Sequence, residues 1–511
     1  MRRRNLSPSS PRPWTKLCPS PSSRRSKARL DTRGSIANKE ESIMPELPEV
    51  ETVRRILNSS ILNDTFQNVE VLSPKQLDAS ARDLTSRLPG ATIVGTDRRG
   101  KFLILRLAGE RSLVFHLRME GKLFVLAPQE PLTAHPRFIF HLASGRRLVF
   151  DDTRRFGKVW LYDSLATPCT DDLGPEANRL DPQYVARLLE RENRPLKEVL
   201  LDQTKIAGIG NIYANEICFA CRLSPFIPAD KIIDIPRAAA DIANQSRRIL
   251  DLSITKNGST VKTYRASAHV SGDFQNFLQV YGREGEPCHL CHAIIMKRAL
   301  AGRGTSFCPN CQHVPLVIGV TGGIATGKST ICHFLEKDGF QYLNMDRMAK
   351  EAYDNPGLRT DLKAIDPQVF DSEKGLNKDY LRKRLTDDQR FRRRWLTRLY
   401  SFLRDEVNET LNHLYNTPVV IEAPLLFQAK LDSFCRLKIL AETDQQLAHL
   451  KARGDKDPER SLRFGATNDP QSYRDRCDFR IDTSGPLSEL EGKVNKVLDS
   501  LKSLSGGLDH D

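Results

Sequence analysis

The chain has 511 residues, 39% of them hydrophobic and 28% charged, which predicts a globular protein of two to four domains. No apolar run is long enough to span a bilayer, so we expect no membrane partner. The formal net charge of +14 is divided into +8 on residues 1–43, +6 on 44–313 and zero on 314–511. Binding of a polyanion such as nucleic acid is therefore expected in the N-terminal part of the chain. The alternative is that the positive charges only form a solvated basic surface.

Residues 1–43 are rich in Arg, Ser and Pro, and the first thirty contain no acidic residue. They lack the apolar core of a secretory signal and are predicted to be disordered. A transit peptide to an organelle would share this composition, and a mis-assigned start codon would also explain it. We favour the second explanation and expect a cytoplasmic protein. Translation is then expected to start at Met44, or processing to remove everything before Pro45.

Residues 44–160 alternate short apolar runs with Gly and charged turns, which is typical of strands in a β-sandwich or barrel. Helical patterns follow in a predicted domain at 175–265. There, the stretch from Leu200 to Arg222 predicts a helix, the Gly-rich turn "AGIGN" and a second helix. The clearest strands are "FLILRL" at 102–107, "SLVFHLRM" at 112–119, "RFIFHL" at 137–142 and "RLVF" at 147–150.

Two close cysteine pairs in a predicted domain at 280–312 have the spacing of a tetrahedral four-cysteine zinc site. Because the four thiolates leave no coordination position open, the metal is expected to be structural. The cysteine pattern favours a reducing compartment with one metal site. The alternative is two accidental pairs of reduced thiols. Lys297, Arg298 and Arg303 lie between the pairs and predict phosphate contacts. The ligands are Cys288, Cys291, Cys308 and Cys311.

A new strand, "PLVIGVT", begins at Pro315, and strands then alternate with helices in a predicted domain at 315–505, as in an α/β fold with a parallel sheet. The stretch from Gly322 to Ser329 follows that strand and fits the phosphate-binding loop of ATP-binding enzymes. Lys328 is expected to reach the terminal phosphates and Ser329 to ligate Mg²⁺. A Gly-rich turn without nucleotide is the alternative.

Asp346 follows "YLNM", at the predicted end of a second strand. In a doubly wound sheet that end opens onto the ligand crevice, where a carboxylate is able to accept a proton from an attacking hydroxyl. The alternative is an aspartate that only caps the next helix.

Six motifs in the front half resemble bacterial formamidopyrimidine-DNA glycosylase over residues 44–311. They are "MPELPEVETVRR", "RRGKFLILRL", "HLRMEG", "DDTRRFG", "GIGNIYANE" and "LQVYGREGEPCHLC…CPNC". Leu after the first Glu favours this branch over endonuclease VIII. The resemblance implies a β-sandwich, a helix-two-turn-helix domain and a zinc finger. It also implies excision of oxidised purines, such as 8-oxoguanine and formamidopyrimidines, from double-stranded DNA.

The resemblance also implies roles for individual residues. The amine of an N-terminal Pro45 attacks C1′ of the damaged nucleotide and forms a Schiff base that permits β,δ-elimination. An α-amino group titrates near pH 8, so a useful fraction is neutral at physiological pH. Glu46 is implied as the general acid/base, Lys101 as the group that assists base departure, and Arg303 as the arginine linked to δ-elimination.

DNA contacts follow from the same resemblance. A flipped base leaves a gap, which Met119, Arg154 and Phe156 would fill, while His135, Asn211 and Arg303 would contact phosphates. From the residues alone, Met119 and Phe156 would be core and Lys101 a solvated cation at a strand end. Thr263 stands where this family often has Asp, which leaves the base preference open.

The second half resembles dephospho-CoA kinase over residues 316–500, on the motifs "IGVTGGIATGKST", "NMDRMAK" and "APLLF". The resemblance implies that Asp346 activates the ribose 3′-hydroxyl of dephospho-CoA. The family pattern is altered at Asn344, Tyr400–Ser401, Gln428 and His449, leaving Arg453 as the candidate lid arginine. The implied ATP-binding residues are Ala325, Thr326, Gly327, Lys328, Ser329 and Thr330.

Three hypotheses follow. The first is a bifunctional DNA glycosylase/AP lyase and dephospho-CoA kinase with structural Zn²⁺, ATP as substrate and Mg²⁺. The second keeps the glycosylase and makes the kinase half an inactive appendage. The third is a module that binds damaged DNA without catalysis, if Pro45 is not the N-terminal residue.

Overall fold

The alternating apolar runs of the front half form strands, as predicted. The computed structural model of the chain describes residues 45–258, 273–371, 375–465 and 471–505. Between Pro45 and Tyr162 the elements are α1 (Leu47–Ile61), β1 (Phe66–Val71), α2 (Leu84–Arg87), β2 (Ile93–Arg99), β3 (Phe102–Leu107), β4 (Arg111–His116), β5 (Lys122–Leu126), β6 (Pro136–Leu142), β7 (Arg147–Asp151) and β8 (Lys158–Tyr162).

These strands build two antiparallel four-stranded sheets, in the orders β2-β3-β4-β8 and β1-β6-β7-β5. The inward side chains of both sheets meet in one core, where Phe115 packs edge-on against Phe140 and Phe150. Val53 and Leu57 of α1 close the same core. The predicted β-sandwich is therefore confirmed.

The helical part follows, and it is joined to the start of α1. Leu47 belongs to the same apolar core as Ile209 and Tyr213, so the N-terminal end of α1 is fixed to the helices rather than to the sandwich. The elements of this part and of the finger are α3 (Pro182–Glu190), α4 (Leu196–Leu201), α5 (Asn211–Ala220), α6 (Ala238–Thr255), β9 (Met296–Leu300) and β10 (Arg303–Phe307).

The helix predicted to start near Leu200 begins earlier and ends sooner. α4 stops at Leu201 because the Asp202 carboxylate accepts the Thr204 N–H at 3.0 Å and turns the chain away from the helix. The turn then runs on to Gly210, where α5 starts. The Gly-rich turn between two helices is confirmed, but its extent was underestimated.

The second half is an α/β domain built on one five-stranded sheet in the order β12-β15-β11-β16-β17, with all neighbours parallel. Apolar residues pack on both faces, with Trp395 on one side and Ile331 on the other. Its elements are β11 (Val317–Gly322), α7 (Lys328–Lys337), β12 (Gln341–Asn344), α8 (Met345–Ala352), α9 (Pro356–Lys363), β13 (Phe370–Asp371), β14 (Gly375–Leu376), α10 (Lys378–Asp387), α11 (Gln389–His413), β15 (Val419–Glu422), β16 (Leu437–Glu442), α12 (Gln446–Ala452), α13 (Pro458–Gly465), α14 (Gln471–Arg474), β17 (Phe479–Asp482) and α15 (Leu487–Ser505).

The predicted parallel sheet is thus confirmed. Within the described ranges, no helix has the length and apolarity that a membrane span requires.

Candidate active sites

Glu46 lies where the start of α1 meets the start of α5. Its carboxylate accepts the Gly210 N–H at 2.5 Å and the Ile212 N–H at 2.8 Å, and its own N–H donates to Glu49 at 3.0 Å. The side chain is 1% exposed. A Cβ at position 210 would lie 2.3 Å from Glu46 Cδ, so only glycine permits this approach. The "GIGN" turn therefore places a helix N-terminus against a buried carboxylate.

Burial brings the pKa values of Glu46 and Lys101 close together. It raises the pKa of Glu46 to about 7, against the opposing charge of Lys101. It lowers the pKa of Lys101 to about 8, again against the charge of its partner. Lys101 is 6% exposed, so the interpretation as a solvated strand-end cation is wrong. An acid and a base that both titrate near neutral pH are suited to proton transfer.

The turn that carries Lys101 is held by ion pairs that the sequence analysis did not assign. Arg98 donates to the Gly100 carbonyl at 2.8 Å and pairs with Glu176 at 2.7 Å. Glu176 also accepts the Gly100 N–H at 2.6 Å, and Arg98 reaches Glu51 of α1 at 3.4 Å. The "RRGK" motif thus fixes Lys101 through its first arginine.

Arg303 and Asn211 lie at the same site. Arg303 is the exposed first residue of β10, and its charge contributes to the lowered pKa of Lys101. Asn211 is the first residue of α5, directly after Gly210, and its buried Oδ1 has no hydrogen-bond partner among the described residues. Pro45 is buried beside Glu46. Arg303, Asn211 and Pro45 therefore all belong to the surroundings of Glu46 and Lys101.

The candidate wedge residues lie on two turns. Phe156 is 52% exposed, with the Arg154 guanidinium 5.2 Å from its ring centroid, so its interpretation as a core residue is wrong. Buried Asp152 shapes this loop by accepting the Arg154 and Gly157 N–H groups at 3.1 and 2.8 Å. Met119 is half-buried after β4.

The backbone of His135 is hydrogen-bonded to the loop that carries Arg154 and Phe156, because the His135 carbonyl accepts the Asp152 N–H at 3.1 Å. Thr263 and residues 1–43 lie outside the described residues.

The four finger cysteines converge with a geometry that suits zinc. Their sulfur atoms all lie within 4.8 Å of one another. The Cys288–Cys311 and Cys291–Cys308 sulfurs are separated by 3.9 and 3.4 Å, and Zn–S bonds of about 2.3 Å in a tetrahedron require about 3.8 Å. The residues present therefore fit a structural Zn²⁺ with four thiolate ligands.

Of the three finger cations, one is buried and another is held in an ion pair. Arg298 is 7% exposed, and its guanidinium lies 3.6 Å from the centroid of the Phe226 ring. Lys297 pairs with Glu284 at 3.0 Å. The expectation that Arg298 contacts phosphate is wrong, since cation–π stacking and burial hold it inside. Arg303 is the exposed cation of the three.

The phosphate loop joins β11 to α7 at the carboxyl edge of the sheet. Gly322 has φ +146°, and a Cβ there would lie 2.4 Å from the Ala441 carbonyl oxygen, so glycine is required. Lys328 is buried, and its ammonium donates to the Gly323 carbonyl at 2.6 Å. The loop therefore leads directly into the N-terminus of α7, the position at which backbone N–H groups bind phosphate.

Glu422 is a site residue that the sequence analysis missed. It ends β15, next to β11, and its carboxylate accepts from Ser329 Oγ at 2.8 Å, from Asn344 Nδ2 at 2.9 Å and from the Tyr342 hydroxyl. A hydroxyl and a carboxylate at this place fit Mg²⁺ beside the phosphates of ATP. The detectable signal was an acidic residue that closes an otherwise apolar parallel strand.

Asp346 faces the same crevice. It is the second residue of α8, whose cap is Asn344, because the Asn344 side chain accepts the Arg347 N–H at 2.9 Å. The interpretation of Asp346 as the helix cap is therefore wrong. Partial desolvation and the charge of Glu422 raise the pKa of Asp346. Burial lowers the pKa of Lys328, on which Glu422, Asp346 and Arg453 all act electrostatically, so these groups surround one site.

Two of the residues that depart from the kinase pattern lie near Tyr473, and a third contacts the phosphate loop. The Tyr473 hydroxyl donates to Gln428 Oε1 at 2.7 Å. Tyr400 is half-buried near Tyr473, and burial raises its pKa to about 12. His449 Nδ1 lies 3.0 Å from the Ala325 carbonyl oxygen. Gln428 and Tyr400 thus lie near the same tyrosine, whereas His449 lies at the phosphate loop.

Four family models match the chain in succession. They are the formamidopyrimidine-DNA glycosylase N-terminal domain over residues 44–159, the formamidopyrimidine-DNA glycosylase H2TH domain over 173–265, a zinc finger found in FPG and IleRS over 285–314, and dephospho-CoA kinase over 316–484.

Curated relatives match the front half. Formamidopyrimidine-DNA glycosylase of Streptococcus thermophilus (strain CNRZ 1066) is 41% identical over 274 residues, which are 53% of this chain and 99% of the relative. The protein of the same name from Chloroflexus aurantiacus is 40% identical over 273 residues, covering 53% and 98%.

Solved structures match the same region. Fpg (MutM) of Lactococcus lactis in complex with DNA containing N7-benzyl-Fapy-dG has a TM-score of 0.49 and 35% identity, covering 52% of this chain and 99% of that chain. MutM (Fpg) of Thermus thermophilus has a TM-score of 0.48 and 39% identity, covering 53% and 99%.

Proposed function

The chain belongs to the formamidopyrimidine-DNA glycosylase family and carries a dephospho-CoA kinase domain behind the glycosylase part, and from this premise we propose a bifunctional enzyme. The first activity removes oxidised purines from double-stranded DNA and cleaves the strand, and it uses residues 44–312. The second transfers the γ-phosphoryl group of ATP to dephospho-CoA and uses residues 315–505.

In the first reaction the neutral Pro45 amine attacks C1′ of the damaged nucleotide, and the base departs. Glu46 donates and removes protons at the sugar, a role supported by its burial and its pKa of about 7. The resulting cationic iminium withdraws electrons and permits β- and then δ-elimination. Lys101 assists base departure from its buried place beside Glu46.

Met119, Arg154 and Phe156 would occupy the gap left by the flipped nucleotide. The 52% exposure of Phe156 supports this, since so large an exposed aromatic ring has no role in the core. Asn211, Arg303 and His135 would position the phosphate backbone around the lesion.

The observation that carries the glycosylase proposal is the buried Glu46 carboxylate directly after Pro45. The test is borohydride trapping on duplex DNA containing 8-oxoguanine, with one form that starts at Pro45 and one that retains residues 1–44. We expect a covalent adduct from the first form and none from the second, in which Pro45 has no free amine. Failure of the Pro45 form to give an adduct would exclude the proposed nucleophile.

The kinase proposal rests on Lys328, Ser329, Glu422 and Asp346, which share one crevice. Lys328 binds the terminal phosphates, Ser329 and Glu422 hold Mg²⁺, and Asp346 accepts the proton of the 3′-hydroxyl. The raised pKa of Asp346 makes it a stronger base than an aspartate with an ordinary pKa.

A coupled ATP assay with dephospho-CoA tests this half of the enzyme. We expect turnover from the full chain and at least a hundredfold lower turnover, about the span of general-base effects, from Asp346→Ala. Turnover of the unchanged chain at the Asp346→Ala baseline would leave the kinase half without its proposed activity. The free cysteines among the described residues suit a reducing compartment such as the cytoplasm, which cell fractionation checks.

A further inference from the structure

The hairpin β9–β10, which carries Arg303 at its tip, is held from two sides. On the glycosylase side, the ammonium of fully buried Lys197 donates to the Gly304 carbonyl at 3.0 Å and to Thr305 Oγ1 at 2.9 Å. Both acceptors lie on β10, one and two residues after Arg303. The inner strand of the hairpin is therefore anchored to α4.

The outer strand is held by the kinase half. Asn408 of α11 accepts the Ala299 N–H at 3.1 Å and donates its amide to the Ala299 carbonyl at 3.0 Å. Asn412, one helical turn later, donates to the same carbonyl at 3.0 Å. Ala299 lies opposite Gly304, so the two anchors grip neighbouring positions of the two strands.

The chemistry of this contact suits an edge strand. Within the described ranges, β9 pairs only with β10, which leaves the outward N–H and carbonyl of Ala299 without a strand partner. A side-chain amide supplies one acceptor and one donor in a single plane, which is what a neighbouring strand would offer. Asn408 thus takes the place of a third strand.

An apolar contact accompanies these hydrogen bonds. Tyr415, just after α11, packs on the cluster of Phe226, Leu300 and Phe307, which lies under the hairpin. Phe226 also stacks on buried Arg298 of β9, at 3.6 Å from the ring centroid to the guanidinium. The kinase half therefore contacts both the backbone edge and the apolar base of the hairpin.

We propose that helix α11 of the kinase half positions the DNA-contacting hairpin, with Asn408 as a positioning residue for the glycosylase reaction. The inference rests on the proposed function, because Arg303 at the hairpin tip acts there on DNA. Loss of the Asn408 bonds leaves the Ala299 backbone with the single bond from Asn412, so the outer strand is held less firmly and Arg303 samples more orientations relative to Lys101.

The test compares full-length chains starting at Pro45 with the single changes Asn408→Ala and Glu409→Ala. Glu409 is exposed on the same helix and serves as the matched control. For Asn408→Ala we expect about a fivefold loss in the rate of δ-elimination, the size of one net hydrogen bond. We also expect faster hydrogen exchange at the Ala299 amide, with zinc content and dephospho-CoA phosphorylation unchanged. Glu409→Ala should match the unchanged chain in every assay.

A second variant, Asn408→Asp, keeps the acceptor for the Ala299 N–H but sets a carboxylate oxygen against the Ala299 carbonyl, and we expect a larger loss. Rates equal to the unchanged chain in both variants would overturn the inference, as would a loss shared equally by the kinase assay. A chain that gives no adduct or cleavage before any substitution would instead refute the proposed glycosylase function, so the two failures are distinguishable.

Discussion

The buried pair Glu46 and Lys101 links the chemistry of the front half to pH. Burial opposes charge on each group, so the pKa of the acid rises to about 7 and that of the base falls to about 8. An α-amino group, which Pro45 has only if it is the first residue, ordinarily titrates in the same range, near pH 8. Three groups of the site therefore change their protonation between pH 6 and pH 9, where the enzyme has to work.

We expect base excision to follow a bell-shaped pH profile. The rate rises with pH as the Pro45 amine loses its proton, and it falls above about 7 as Glu46 loses the proton that it donates. Glu46→Gln should lower the single-turnover rate by about a hundredfold and abolish the alkaline limb at about 7, which Glu46 sets. An alkaline limb that stays in place in Glu46→Gln would show that another group donates this proton.

Glu422 gives the matching prediction for the kinase half. Glu422→Gln removes the carboxylate that accepts from Ser329 and should lower phosphoryl transfer by about a hundredfold while ATP still binds. Glu442→Gln is the matched control, because Glu442 ends strand β16 of the same sheet, on the far side of β11 from β15, and pairs with Arg474 at 2.7 Å. Phosphoryl transfer and ATP affinity are measured at several Mg²⁺ concentrations. A loss in Glu442→Gln as large as in Glu422→Gln would contradict the metal role.

At the residue scale, the sequence predicted which residues belong to the candidate sites better than it predicted what surrounds them. Glu46 and Lys101 stand in motifs that can be read from the chain, but the burial that shifts their pKa values depends on distant parts of the fold. Glu46, for example, is enclosed by Gly210 and Ile212, more than 160 residues away. Arg298 was misinterpreted for the same reason, since Phe226, on which it stacks, lies far upstream. Glu422 was missed because its partner Ser329 comes from another strand–helix unit.

At the scale of elements, the zinc hairpin depends on its metal for only one of its attachments. Zinc would fix the loops around the four cysteines, while Lys197 and Asn408 hold the two strands directly. The hairpin could be predicted because the spacing of the cysteine pairs requires a reversal between them. Its docking on α11 could not, because no local pattern distinguishes Asn408 from any polar residue on an amphipathic helix.

Removal of zinc should separate the two activities. For Cys291→Ser we expect zinc loss and at least a tenfold fall in DNA strand cleavage, because misplacing Arg303 by about 1 Å is enough for such an effect. Dephospho-CoA phosphorylation should change by less than about twofold, since the core around Trp395 and Ile331 has no zinc ligand. Cys169→Ser, at a half-buried cysteine outside the finger, is the control. An equal loss of both activities would mean that the finger stabilises the whole chain.

On the scale of the whole molecule, helix α11 connects the protein hairpin β9–β10 to the candidate kinase site. Its C-terminal part holds Ala299 through Asn408, and its N-terminal part packs on α8, where Trp395 Nε1 donates to the Tyr353 hydroxyl at 3.3 Å. α8 begins beside Asp346. One helix of 25 residues therefore touches elements of both candidate sites.

This connection predicts a reciprocal effect between the two ligands. If α11 favours one orientation when DNA holds the hairpin, duplex DNA with a stable abasic-site analogue should change the dissociation constant of dephospho-CoA by about fivefold, at the lower end of typical couplings. By thermodynamic linkage, dephospho-CoA must change the DNA dissociation constant by the same factor. Calorimetric titrations of the full chain measure both constants, and Asn408→Ala should bring both ratios to one. If the two dissociation constants change by unequal factors, the binding model is in error. If neither constant changes in the unchanged chain, α11 joins the two sites without coupling them.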